Sequence, residues 1–342
     1  MRESGLRQLV RLGANESAFG PSPRAVAAMS SELAHLSWYG DPESYELREA
    51  LAARHGCAIE HIVVGSGIDD LMGLAVRAFV PPGGRALTTA GSYPTFNFHV
   101  AGYGGVLSVA SYRADGTVDL DALVAIAQRE LPQIVYLANP DNPSGTFHEA
   151  AQIGAFVDAL PQQSLLFLDE AYGDFVAQER MLPARFEDRI VRTRTFSKAY
   201  GMAGARIGYA LTSARNVQTF QKIRLHYGVN RNAQIGALAA LADTSFHASV
   251  VRDTEAAREA YYALGVALGL PTLHSHANFV LFDCGNVTRA NRVMAELLAR
   301  GVWIRKPGVV PLDRFVRVSA GTEPMRAAFA RALSETLAQV PA

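Results

Sequence analysis

Short runs of β-branched and large apolar residues recur along the first part of the chain, at 62–64, 86–89, 134–138, 165–168, 190–195 and 207–211. Each has the length and composition of a buried strand. Between many of them apolar residues repeat at helical spacing, at 69–79, 121–131 and 149–160. Pro81-Pro82-Gly83-Gly84 stops the first of these helices, because proline lacks the amide a helix needs and glycine loses too much chain entropy in one. Strand and helix in alternation predict a parallel sheet covered on both faces. From about residue 246 the texture changes to a long helix rich in Ala, Arg and Glu, running towards 268. A strand at 278–282, a helix at 289–300, strands at 302–305 and 315–318 and a last helix from about 323 follow. This second stretch reads as an α+β unit of its own. No repeat or long linker separates the two parts, so they are expected to pack tightly.

Composition narrows the function. The 342 residues include 32 Lys plus Arg and 32 Asp plus Glu, a formal charge of zero. Nucleic acid and anionic membranes both select for a surplus of positive charge, so neither is expected as the main partner. With 49% apolar and 19% charged residues the chain is a folded globular one. Cys57 and Cys284 stand far apart and match no metal or redox spacing, which favours a reducing, cytoplasmic setting. The first seven residues, Met-Arg-Glu-Ser-Gly-Leu-Arg, lack the apolar core of a signal peptide. No apolar run approaches the roughly 20 residues of a membrane span. His274 and His276 share one face of an extended segment without an accompanying carboxylate or cysteine cluster, so no metal site is expected.

Four segments carry candidate chemistry. Directly after the strand at 190–195 comes Phe196-Ser197-Lys198-Ala199-Tyr200-Gly201, with Gly204 and Arg206 beyond. A lysine among small and apolar residues can have its ammonium destabilised and act as a nucleophilic amine suited to a Schiff base. The same segment also reads as a surface lysine in a flexible glycine-rich loop. In Leu165-Leu166-Phe167-Leu168-Asp169, four apolar residues run into an acid at the carboxyl end of a buried strand, the edge where open α/β sheets bind ligands. A carboxylate there needs a cation; alternatively Asp169 caps the next helix. Asn139-Pro140-Asp141-Asn142-Pro143 forces a turn after the strand at 134–138 and sets a rigid amide, Asn142, at the same edge. Gly65-Ser66-Gly67-Ile68-Asp69 joins strand to helix through small residues, leaving backbone amides free to cradle a phosphate.

Together these segments meet the needs of pyridoxal 5′-phosphate. Lys198 would hold its aldehyde as an imine, and Asp169 would keep the pyridine nitrogen protonated so that the ring serves as an electron sink. Asn142 and Tyr172 would hydrogen-bond the phenolate oxygen. The Gly67 turn, Ser197 and Arg206 would take the phosphate.

The motifs occur in an order that resembles the fold-type I, class I/II aminotransferases, most of all the histidinol-phosphate aminotransferases. They begin with Leu12-Gly13-Ala14-Asn15-Glu16, Tyr39 ahead of Asp41-Pro42-Glu43, the Gly65–Asp70 turn and Tyr93-Pro94-Thr95-Phe96. The Asn139–Gly145 turn, Asp169-Glu170-Ala171-Tyr172, the Ser197-Lys198 loop to Arg206 and Val316-Arg317-Val318-Ser319-Ala320-Gly321-Thr322 complete the series. The resemblance covers nearly the whole chain. It implies an aspartate-aminotransferase-like α/β fold, a mainly parallel sheet sandwiched by helices plus a smaller α+β domain. Residues 26–244 would form the cofactor-binding part, and 1–25 with 245–342 a smaller part closing over the substrate.

The resemblance further implies that Phe96 stacks on the cofactor ring and that Ile68 and Asp69 join Ser197 and Arg206 around the phosphate. Tyr39 would reach that phosphate from the second subunit of a homodimer. Asn15, Arg305 and Arg317 would bind the substrate. Two positions depart from the family's pattern: Phe96 stands where Tyr or Trp is usual, and Ile68 where a small residue is usual. The implied reaction moves an amino group between an amino acid, or an amino-alcohol phosphate such as histidinol phosphate, and a 2-oxo acid by a ping-pong route. The alternative that shares most of these motifs is a threonine-phosphate-decarboxylase-like enzyme, which breaks a different bond with the same cofactor.

Overall fold

The structure, a computed structural model, describes residues 10–340; residues 1–9 and 341–342, which fall in the expected smaller part, lie outside the described residues. After β1 (Val10–Arg11) come the seven strands of the main sheet. They are β2 (Ile62–Gly65), β3 (Arg85–Thr89), β4 (Val106–Ala110), β5 (Ile134–Ala138), β6 (Leu165–Asp169), β7 (Ile190–Thr195) and β8 (Gly208–Leu211). Their spatial order is β2-β8-β7-β6-β5-β3-β4. Strands β3 to β7 pair in parallel, whereas β8 runs antiparallel to both β7 and β2. The sheet is thus mainly parallel with one reversed strand, and the reason is local. Residues 196–207 contain only a short turn, Ala203–Ala205, and so short a connection favours an antiparallel return over a crossover. The reversal pins the loop carrying Ser197 and Lys198 to the carboxyl edge of the parallel strands.

Helices α1 (Pro23–Ser31), α2 (Tyr45–His55), α3 (Ile68–Phe79), α4 (Pro94–Gly102), α5 (Leu120–Glu130), α6 (Ala150–Ala159), α7 (Ala214–Ile223) and α8 (Arg231–Ala242) flank this sheet. Side chains alternate across a strand, and the parallel strands use both faces for cores. Val135, Leu137, Leu166 and Leu168 pack with α5 and α6. Tyr136 and Phe167 pack on the other face with α3, α4 and α7. That two-sided burial is why these strands read as unbroken apolar runs. Strand β4 escaped the sequence pattern because it is a half-exposed edge with Ser108 in its middle.

The rest of the chain is α9 (Thr244–Leu268), β9 (Thr272–Leu273), β10 (Phe279–Asp283), α10 (Val287–Ala299), β11 (Val302–Trp303), β12 (Phe315–Ser319) and α11 (Glu323–Gln339). β12, β10 and β9 form an antiparallel sheet, and β1 pairs in parallel with β11. The expected strand at 302–305 is shorter, with Arg305 instead bridging to Arg317. The early segment belongs with this part: the Leu12 amide donates to the Trp303 carbonyl, and the Ser319 amide to the Leu12 carbonyl, each at 2.8 Å. Leu12 shares a core with Tyr261, Phe282, Val316 and Phe329.

Candidate active site

At the carboxyl edge of the main sheet lies a cavity of about 250 Å³. Its walls include Asn15, Ile68, Asp69, Asn142, Asp169, Tyr172, Ser197, Lys198, Arg206, Arg305 and Arg317. Eleven of the fourteen side chains expected at the site therefore meet in one place, from segments up to 302 positions apart (Asn15 to Arg317).

Asp169 ends β6 and is buried. Its Oδ1 accepts the Ala171 amide at 2.9 Å and its Oδ2 accepts the Tyr136 hydroxyl at 2.8 Å. Burial pushes its carboxyl up to about 6, against the hydrogen bond from Tyr136 that lowers it. The next residue, Glu170, points to the other side of the strand. It accepts from Arg192 Nη2 and from Arg194 Nε, both at 2.9 Å. Burial raises the Glu170 carboxyl, but the two guanidiniums outweigh it and hold the group below its ordinary range. This buried ionic clamp ties β6 to β7 just below Asp169 and Lys198.

Lys198 donates from Nζ to the Asn15 carbonyl at 3.0 Å, and Nζ lies 5.5 Å from the centre of the Tyr172 ring. Burial, then the nearby Arg317 charge, brings its amine down to about 8. Asn15 is the hub between the two parts of the chain. Its Nδ2 donates to the Tyr172 hydroxyl at 3.0 Å, while its amide donates to Ser319 Oγ at 2.9 Å. Gly201 lets the lysine loop pack against the early segment: it has a φ of +68°, and a Cβ there would lie 2.1 Å from the Gly20 carbonyl oxygen.

One end of the cavity is built for an anion. Gly67 caps α3 with a φ of +87°, and a Cβ on it would stand 2.7 Å from Arg206 Nη2. The helix therefore begins with bare amides at Ile68 and Asp69, beside Ser197 and Arg206. Arg206 itself has a left-handed φ of +57° and is held by the Ala203 carbonyl at 3.0 Å and Asp69 Oδ2 at 3.4 Å. At the opposite end, Arg317 Nη1 donates to Asn142 Oδ1 at 2.5 Å, and its buried Nε has no hydrogen-bond partner among the described residues. Burial lowers the Arg317 guanidinium from its usual range. The Arg305 guanidinium lies 5.3 Å over the Trp303 ring. Among the described residues neither arginine forms a carboxylate salt bridge, in contrast to the paired arginines of the clamp.

Three expected residues stand elsewhere. Phe96 does not line the cavity: it is fully buried in the core, stacked on Tyr136 with ring centres 4.9 Å apart. Tyr93 lines the cavity instead. Pro94 starts α4, so Tyr93 at the cap faces the cavity while Phe96, a turn further on, faces the sheet. The proline at the first helical position was the available signal. Gly67 shapes the turn behind the wall rather than lining it, and Tyr39 is 76% exposed, stacked on Tyr227. Thr195 also lines the cavity without having been singled out; its Oγ1 accepts the Ser197 amide at 3.0 Å. His274 and His276 pack edge to face on one another, with Tyr262 and Phe147 as neighbours.

Comparison with known proteins gives the chain its family and its fold. The family model for aminotransferase class I and II matches residues 7–333. Histidinol-phosphate aminotransferase 1 of Thiobacillus denitrificans is 36% identical, over 99% of this chain and 89% of that protein. The crystal structure of histidinol-phosphate aminotransferase from Sinorhizobium meliloti, in complex with pyridoxal-5′-phosphate, superposes with a TM-score of 0.96. It is 40% identical over 99% of this chain and 94% of that one. A Thermus thermophilus aspartate aminotransferase, 23% identical over 99% and 93% of the two chains, shares the fold at a TM-score of 0.84. The match to the family model across nearly the whole chain, with the shared fold and the lysine, aspartate and helix-start cradle gathered at one sheet edge, establishes that the chain belongs to the class I and II aminotransferases.

Proposed function

We propose that this chain transfers an amino group from a phosphorylated amino donor such as histidinol phosphate to a 2-oxo acid, with pyridoxal 5′-phosphate as cofactor. What carries this reading is the single cavity that joins the anion cradle at α3, the carboxylate of Asp169 and the amine of Lys198. The residues fit the cofactor: Gly67 leaves open the space that a phosphate needs, and Asp169 is a buried acid without a salt-bridged cation among the described residues. When bound, the cofactor supplies an aldehyde for amines and a protonated ring that accepts an electron pair. Ile68, Asp69, Ser197 and Arg206 would hold its phosphate, Asp169 its ring nitrogen, Asn142 and Tyr172 its ring oxygen, and Lys198 its aldehyde. Tyr93 would flank the ring.

Once released, the Lys198 amine would be the base that takes the proton from the substrate's amine-bearing carbon and the acid that delivers it to the former aldehyde carbon of the cofactor. Its value near 8 suits both tasks at neutral pH. Arg317, Arg305 and Asn15 would bind the anionic end of each substrate, and two substrates taking turns in one cavity give ping-pong kinetics. The relatives' names favour histidinol phosphate as the donor, and two guanidiniums without a carboxylate partner among the described residues suit a phosphate in one half-reaction and a carboxylate in the other. Titrating the purified protein with histidinol phosphate and a panel of amino acids, while following the cofactor spectrum and the oxo product, tests this. Histidinol phosphate is expected to react fastest; carbon dioxide release without oxo product would instead support the decarboxylase reading. Arg317→Ala should raise KM for the donor about a hundredfold while the protein still binds the cofactor.

The same reading includes a cytoplasmic homodimer in which residues 26–244 carry the cofactor and the remaining segments close over the substrate. Among the described residues no helix is long and apolar enough to cross a membrane. Leu33, Leu36, Trp38, Tyr39, Leu225 and Tyr227 are each more than half exposed, an apolar patch of the kind that a second subunit covers. Sedimentation should give about twice the 36.8 kDa chain mass. Tyr39→Phe should weaken cofactor binding several-fold without changing the sedimenting mass, and a monomer that binds the cofactor at full strength would refute the shared site.

A further inference from the structure

Tyr136 sits in the middle of β5 among apolar residues and is fully buried. Its ring lies between two others, Phe96 at 4.9 Å and 19° and Phe167 at 6.0 Å and 23°. A phenol so enclosed has no water to turn to, and leaving its hydroxyl unpaired would be costly. Its hydrogen-bond partner is Asp169 Oδ2. Burial and the Asp169 charge hold the phenol well above its ordinary range, so the tyrosine is always the donor and the aspartate oxygen the acceptor. The other oxygen, Oδ1, already accepts the Ala171 amide. Both oxygens of Asp169 are thus used as acceptors, an arrangement that favours the anion.

We propose that Tyr136 is a positioning residue for Asp169, its clamped phenol holding the carboxylate in one orientation and as the anion that meets the ring nitrogen of the cofactor. Phe96 is the brace that aims it. The proposal rests on the cofactor reading above, but its central claim concerns two side chains of the chain itself. Other charged or titratable groups act on this pair as well. They are Asp69 from α3, Lys198 from the β7–β8 loop, Tyr93 before α4, Tyr172 after β6 and Asp141 after β5. Tyr136→Phe leaves all of them in place and keeps the ring stack.

The test is the protonation of Asp169 in the cofactor-free protein, read as the carboxyl infrared band that disappears in Asp169→Asn. Wild type should titrate near pH 6. Tyr136→Phe should titrate one to two pH units higher, the size of one hydrogen bond to a charged group. The affinity for pyridoxal 5′-phosphate at pH 7 should fall about tenfold in that variant and recover as the pH is raised. Phe96→Leu keeps the hydroxyl and should shift the band the same way by less. An unshifted band in Tyr136→Phe, or a larger shift in Phe96→Leu than in Tyr136→Phe, would overturn the proposal. Should wild type not bind pyridoxal 5′-phosphate while the band still shifts, the cofactor reading fails and the pairing stands.

Discussion

Lys198→Ala should remove turnover by at least about a thousandfold, since positioned proton transfer alone contributes that much and covalent capture of the cofactor is lost as well. The visible band of the lysine-bound cofactor should vanish in the same variant. The basis is geometric. Nζ is held 3.0 Å from the Asn15 carbonyl at the cavity wall, and no other lysine lines that cavity. Burial and the Arg317 charge bring the amine down to about 8, so it exchanges protons readily at neutral pH. Phosphate anchoring depends on α3, Ser197 and Arg206 instead, and the variant should still bind pyridoxal 5′-phosphate, more weakly and reversibly. Absorbance spectra and single-turnover kinetics together check this. Full turnover in the alanine variant would remove Lys198 from the reaction altogether.

Asp169→Asn is expected to be nearly as severe. Breaking one side of a buried ion pair costs about 3–5 kcal/mol, or roughly two to four orders of magnitude in whatever step depends on it. The asparagine keeps the shape, but its single oxygen can replace only one of the two acceptors that serve the Ala171 amide and the Tyr136 hydroxyl. Above all it loses the charge that keeps a pyridine nitrogen protonated. The loss should therefore appear in kcat and in the rate of α-proton exchange, measured with deuterated substrate, more than in KM. Equal losses in KM and kcat would point to a merely structural role for Asp169.

Much of this site could be read along the chain. Asp169 ends an apolar run abruptly, and Lys198 follows a strand rich in β-branched residues after only Phe196 and Ser197; both are features of immediate neighbours. The α3 cradle was readable because its glycine spacing is a local property of one turn. The choice between Phe96 and Tyr93 was not. Both are aromatic and three positions apart, and only the angle at which α4 packs on the sheet decides which ring faces the core. Tyr136 gave no signal either. In sequence it is one more large residue in a buried strand, and its role appears only when β5 and β6 pair and bring its hydroxyl to Asp169.

The long-range pairings follow the same logic. Asn15 meets Lys198 across 183 positions, and Arg317 meets Asn142 across 175. Nothing in either segment's local pattern names its partner. Strand β8 returns antiparallel through the short 196–207 connection, a reversal that spacing makes favourable but that only the sheet order decides. The sequence alone determined the strand and helix periods, the turns and the chemistry on offer at each turn, because these depend on residues within a few positions of one another. Which of those groups face one cavity, which are buried as partners and which serve as braces was decided by tertiary packing. Burial sets the protonation of Asp169 and Lys198, and burial exists only in the folded chain.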